Sequence, residues 1–188
     1  YQNPPEVGLY QYYEAIGKAT SLPLLIYSRE WAIFSPQMVA RLAERIPTLH
    51  GWKDGQGDAR KYERIMTHVG NRLAWFGGIG DDCVPGYFAV GVQAYTSSIS
   101  NIAPKLSLAL ADAGMKRDFV RLGELMRKYV HPLYAIRDRL RGYEVSVMKE
   151  AMEMLGMPAG PVRAPLVNTR PQDIEDLRKL MEVYKDML

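Results

Sequence analysis

The chain has a single cysteine, Cys83. An internal disulfide is excluded, and so is a thiolate metal cluster. Long apolar runs are lacking too: nothing approaches the roughly 18 residues a membrane span needs, and no signal peptide is read at the front. Charge of one sign is scarce. The formal net charge is +3 over 188 residues, Lys and Arg are interleaved with Asp and Glu, and no basic run offers a nucleic-acid footprint. His50, His68 and His131 stand far apart without metal-ligand spacing, so no zinc site is read. No Gly-x-Gly-x-x-Gly follows a strand, and no phosphate loop is present. The expectation is a cytoplasmic protein with neither nucleic acid nor membrane as partner.

What is present suits a folded domain. Apolar residues make up 47% of the chain and charged residues 24%, enough for a sizeable core. The opening Tyr1-Gln2-Asn3-Pro4-Pro5 lacks an initiator Met and reads like a loop entered from an upstream portion. Residues 8–20 carry Leu9, Tyr12, Tyr13 and Ile16 at helical spacing. Residues 22–27 form a short apolar run, the pattern of a strand buried on both faces. Ser35-Pro36 is a cap followed by proline at the first helical position, opening a helix to about Arg45. Residues 49–53 read as the next strand. Asp58 caps a helix that Gly70 ends, 73–77 is a third strand, 84–90 a short helix and 94–99 a fourth strand. Asp81-Asp82 most simply caps the helix after it.

Strands separated by helices argue for parallel βα units. Beyond Pro104 the strand signal disappears, and 104–113, 117–140, 143–155 and 171–188 read as amphipathic helices. A whole (β/α)8 barrel takes about 250 residues. The expectation is therefore an α/β chain: the second half of a TIM barrel over residues 1–115, then a C-terminal helical domain over 116–188.

Tyr27 and Lys53 occupy corresponding places, each ending an apolar strand before a polar loop. Catalytic groups gather at such strand ends, and adjacent strands about 4.8 Å apart let both side chains reach one cavity. A lysine that sheds water there loses its preference for the ammonium form, and the amine becomes a nucleophile toward a ketone. A neighbouring tyrosine can shuttle the proton. The plainer alternatives remain open: a lone strand-end lysine is usually solvated, and such a tyrosine is more often core or rim. Gly77-Gly78 follows the third strand, and Ser97, Ser98 and Ser100 follow the fourth. Small and hydroxylated residues let a substrate carboxylate approach backbone N–H groups; ordinary turn chemistry accounts for them equally well. Arg29 suits bidentate carboxylate pairing or plain exposure.

The ensemble resembles the dihydrodipicolinate synthase / N-acetylneuraminate lyase superfamily. The opening segment, Tyr1 through Tyr10, looks like that superfamily's loop after its fourth strand. Tyr27 matches its catalytic tyrosine, Gly51-Trp52-Lys53-Asp54 its Schiff-base motif, and Asn101-Ile102-Ala103-Pro104-Lys105 the segment after its eighth strand. Within the superfamily, the 5-dehydro-4-deoxyglucarate dehydratases are most similar. Asp54 follows Lys53, Tyr27-Ser28-Arg29 is similar to their Tyr-Asn-Arg, and Ala135-Ile136-Arg137 with Gly142-Tyr143 and Val145-Ser146 resembles their C-terminal signature. Ser28 in place of Asn, and Trp31, are departures in the loop facing the distal end of the ligand. The resemblance implies strands 5–8 of the barrel, no metal or organic cofactor, and a small-molecule keto acid as substrate. It further implies a homo-oligomer built as a dimer of dimers. Lys53, Tyr27 and Tyr1 would be catalytic; Arg29, Gly78, Ser97, Ser98 and Asn101 would bind substrate. The implied reaction is an imine-based dehydration and decarboxylation of 5-dehydro-4-deoxyglucarate. An aldolase or synthase using the same imine, or an inactive assembly fragment, are the alternatives.

Overall fold

The computed structural model describes residues 4–188. The chain divides into two compact units. One comprises residues 1–79 and 86–96, the other residues 80–85 and 97–188.

The first unit opens with α1 (Glu6–Ala19) and β1 (Leu24–Ser28). Helix α2 (Pro36–Arg45) follows, with Ser35 Oγ accepting from the Met38 N–H at 3.2 Å and Pro36 at the first position. This satisfies an N–H the helix itself leaves unpaired. After β2 (Leu49–Asp54), α3 (Ala59–Val69) starts on Asp58, which accepts from the Lys61 N–H, and stops at Gly70 with φ +67°. That left-handed conformation is one glycine adopts without strain. Strand β3 (Ala74–Gly77), α4 (Val84–Ala89) and the two-residue β4 (Ala94–Tyr95) complete the order.

The strands pair in parallel in the order β1-β2-β3-β4. Alternation sorts their side chains. Ile26 and Trp52 are buried, Trp52 completely, against Phe34, whose ring centre lies 4.8 Å away edge-on. The opposite face carries Leu25, Tyr27, Gly51, Lys53 and Phe76; Leu25 is 47% exposed. Tyr27, Lys53 and Phe76 stand in one register row.

A helix side chain completes the ladder between β2 and β3. The Tyr62 hydroxyl of α3 lies 2.9 Å from the Trp52 carbonyl and 3.1 Å from the Phe76 carbonyl, and it accepts from the Phe76 N–H at 3.1 Å. Burial, reinforced by the Asp54 charge, pushes its ionisation well above the usual tyrosine range.

The half-barrel expectation is corrected here. The strands expected as 5–8 of a (β/α)8 barrel form one open sheet, each paired only within these four among the described residues. The ladder narrows to two residues at β4, where β3 itself ends at Gly77; the Thr96 N–H still gives to the Gly77 carbonyl, and the Ser98 and Ile99 N–H groups go to a buried carboxylate described below.

The second unit is helical. It contains α5 (Pro104–Met115), α6 (Phe119–Leu125), a π-helical turn (Met126–Val130), α7 (His131–Arg137), α8 (Tyr143–Met154) and α9 (Pro171–Tyr184). The helix expected over 117–140 is thus interrupted. Pro132 has no N–H to give the ladder, and the widened turn just before it absorbs the fault. Its core is Leu106, Leu110, Leu122, Val130, Leu133, Val147, Leu177 and Tyr184, all under 2% exposed. Among the described residues, no helix is long and apolar enough to cross a membrane.

Candidate active site

Lys53 sits on the side of β2 opposite Trp52, half-buried. Its Nζ lies 4.2 Å from the centre of the Tyr27 ring, on the neighbouring strand and in register. Among the described residues Nζ has no hydrogen-bond or ion-pair partner. The Tyr27 hydroxyl donates to the Gly78 carbonyl at 3.0 Å and accepts from Arg29 Nη1 at 3.5 Å. Arg29 is also paired with Glu30 at 3.4 Å and is half exposed.

Three glycines make this cluster possible. A Cβ at Gly78 would strike Lys53 Cε and would sit 2.7 Å from the Asp54 carbonyl; one at Gly77 would strike the Tyr87 ring; one at Gly55 would come within 2.5 Å of Tyr27. The pair Gly77-Gly78 therefore lets Tyr87 and Lys53 each lie against bare backbone.

Asp54 adjoins Lys53 in sequence but points to the other face. It is buried, 4% exposed. Its Oδ2 accepts from the Tyr87 hydroxyl at 2.7 Å and the Gly57 N–H at 3.0 Å, and its Oδ1 from the Gln56 N–H at 3.2 Å. Burial first, and then the hydrogen bond to Asp54, hold Tyr87 protonated far above the usual tyrosine range. Asp54 thus fixes the loop beyond the lysine and Tyr87 fixes Asp54. Sequence reasoning missed Tyr87; the signal was a carboxylate ending a strand, which needs donors if it is buried.

The structure brings Tyr27, Arg29, Lys53 and Gly78 together in the first unit. Ser97, Ser98 and Asn101 belong to the second, gathered at Asp81, which is fully buried. Asp81 takes hydrogen bonds from the Ser97 hydroxyl, the Ser98 hydroxyl (2.9 Å) and the backbone N–H groups of Ser98 (3.1 Å) and Ile99 (3.3 Å). It therefore caps the short turn Ile99–Asn101 and not the helix that follows it. Tyr1 lies outside the described residues. No group of three or more His, Cys, Asp or Glu among the described residues could hold a metal ion.

A sequence profile of the Dihydrodipicolinate synthetase family matches residues 1–184. The chain belongs to this family. Among curated relatives, a protein of Bradyrhizobium diazoefficiens named probable 5-dehydro-4-deoxyglucarate dehydratase is 37% identical over 177 residues. That alignment takes in 93% of this chain and 56% of the relative. A relative of the same name from Saccharopolyspora erythraea is 37% identical over 182 residues, covering 96% and 58%. The chain thus spans little more than half the length of these relatives. Among solved structures, the dihydrodipicolinate synthase of Oceanobacillus iheyensis aligns with a TM-score of 0.87 at 26% identity, over 97% of this chain and 61% of that one. The Bacillus clausii enzyme gives 0.86 at 25%, over 96% and 61%. The resemblance expected from Lys53, Tyr27 and the C-terminal signature is found at the level of family and of relatives' names. The comparisons run along nearly the whole chain, so they support a family fold of parallel sheet and helices; they do not support the narrower assignment to a barrel's C-terminal half.

Proposed function

We propose that this family member carries the imine chemistry of a lyase that dehydrates and decarboxylates 5-dehydro-4-deoxyglucarate to 2,5-dioxopentanoate. One observation carries the reading: a lysine amine without a hydrogen-bond or ion-pair partner among the described residues, held against a tyrosine on the adjacent strand. The names of the relatives supply the substrate. Lys53 Nζ attacks the ketone beside one carboxylate, and the ketone oxygen leaves as water. Tyr27 moves the proton that this step needs. The imine withdraws electrons from the neighbouring methylene, which loses a proton to give an enamine. The enamine expels the β-hydroxyl as a second water. The conjugated iminium takes the electron pair released when the far carboxylate departs as carbon dioxide, and hydrolysis frees the product and the lysine. Arg29, which reaches the Tyr27 hydroxyl, and Gly78, whose backbone lies against Lys53, contact the substrate. The working form is a homo-oligomer, a dimer of dimers, which sedimentation of the full chain checks.

The test is borohydride trapping. With the dehydroglucarate present, mass spectrometry of the full chain should find a reduced adduct on Lys53, and the reaction should yield 2,5-dioxopentanoate and carbon dioxide without added pyruvate. Pyruvate-dependent carbon–carbon bond formation with no dehydration would replace this reading with a synthase or aldolase. No adduct with any keto acid would end the imine mechanism.

A further inference from the structure

Helix α8 carries Ser146, Lys149, Glu150 and Glu153 at spacings of three and four, so they share one face. That face borders a cavity of about 350 Å³, formed wholly within the second unit. Sites for small molecules begin at roughly 300 Å³. The loop that follows α8 is clipped over it. Lys149 Nζ donates to the Ala159 carbonyl and, at 3.4 Å, to the Gly160 carbonyl. Glu153 Oε1 accepts from the N–H groups of the same two residues, each at 2.7 Å. Further along, Asn168 Oδ1 accepts from the Val162 N–H at 3.1 Å and folds the loop back on itself.

Two other groups in the lining are not committed. Ser146 and Thr169 are 4% and 7% exposed and both line the cavity. Among the described residues, neither Ser146 Oγ nor Thr169 Oγ1 has a hydrogen-bond partner. A helical serine can give its proton to the carbonyl four residues back; Ser146 does not. Buried hydroxyls left unpaired are costly, and native proteins carry few. Beside them the half-buried Glu150 carboxylate takes no hydrogen bond or ion pair among the described residues, and Lys149 keeps a third N–H.

A molecule that fits must accept from Lys149, donate to Glu150 and exchange hydrogen bonds with two hydroxyls. The uncommitted charges are one positive and one negative, so the lining selects for neither ion. A hydroxyl both donates and accepts, which a carboxylate or an ammonium does not. Pro161, Val162 and Ile174 add an apolar wall for a C–H face. We propose that this cavity is a binding site for a small neutral polyol, such as a free sugar or sugar alcohol. It goes beyond the lyase reading and stands independently of it.

The experiment is saturation-transfer NMR on the full chain, with D-glucose and D-glucitol as probes and acetate, methylammonium and glycine as charged competitors. Both polyols should give saturable signals that no competitor displaces. The double variant Ser146→Ala, Thr169→Val should bind them about tenfold more weakly or worse, the scale of one or two lost hydrogen bonds. A urea titration of the same variant without ligand guards against misfolding. Because neither hydroxyl has a partner to lose, the midpoint should hold or rise. Absence of saturable binding, displacement by a charged competitor, or unchanged affinity in the double variant would overturn the proposal. A lowered midpoint would do so too, by showing that the two hydroxyls are already satisfied by water in the unliganded chain.

Discussion

Lys53 in the first unit and Asp81 in the second are both charged groups of the same parallel βα chain, and their surroundings differ in kind. Lys53 is half-buried, rests on an aromatic face and a glycine, and among the described residues its amine has no hydrogen-bond or ion-pair partner. Asp81 is wholly buried, with donors on both carboxylate oxygens. A group that must react has to keep its reactive lone pair uncommitted, whereas one that holds shape gains from saturation. The contrast makes Lys53 and its neighbours costly to rate, and the saturated clusters costly to stability.

The largest effect should come from Lys53→Ala. Turnover should fall about 10⁴-fold or more, with the trapped adduct gone and the urea midpoint little changed. A large loss of stability instead would break the contrast. Tyr27→Phe should cost about 10²-fold in kcat, read in single-turnover kinetics, by removing the proton shuttle. Gly78→Ala should cost roughly tenfold or somewhat more, because its methyl group displaces Lys53 from the attacking position. Trapping rate is the measurement, and an unchanged rate would show that the lysine has room to spare.

A saturated cluster gives the smallest effect, and only in acid. Burial pushes the Asp173 carboxyl up, but Arg139, Arg170 and Tyr143 together pull it further down, to about 2 against an ordinary 3.8. A carboxyl held lower in the folded chain contributes stability that is fully present above the unfolded value and is lost as pH falls through the folded one. The urea midpoint should therefore decline between about pH 4 and pH 2, and Asp173→Asn should flatten that decline.

The parts of this molecule that sequence made legible are the local ones. Ser35 before Pro36, Asp58 before α3 and Gly70 after it act within one turn of where they stand. Tyr27 and Lys53 could be paired because the βα period places them at the same height. What stayed hidden depends on contacts between distant positions. The fourth strand looks as if it should reach Ile99, since the run 94–99 has strand composition, yet Asp81 pulls the Ser98 and Ile99 N–H groups out of any ladder. Asp81 reads as an ordinary helix cap because nothing local reveals that its partners stand 16 and 17 residues away. The interruption before Pro132 was signalled by the proline, but the length of the apolar pattern masked it.

The Tyr62 hydroxyl, wedged between the Phe76 N–H and the Trp52 carbonyl, has a mechanical consequence. A helix lying on a sheet can usually creep along it, since apolar packing tolerates small slips. Here α3 is keyed into the ladder itself, one residue from Lys53. A one-residue slip of α3 would withdraw the key and leave a strand N–H and a carbonyl without partners. The level of the lysine and the position of α3 are thus a single setting, and random drift in one cannot accumulate without being felt in the other.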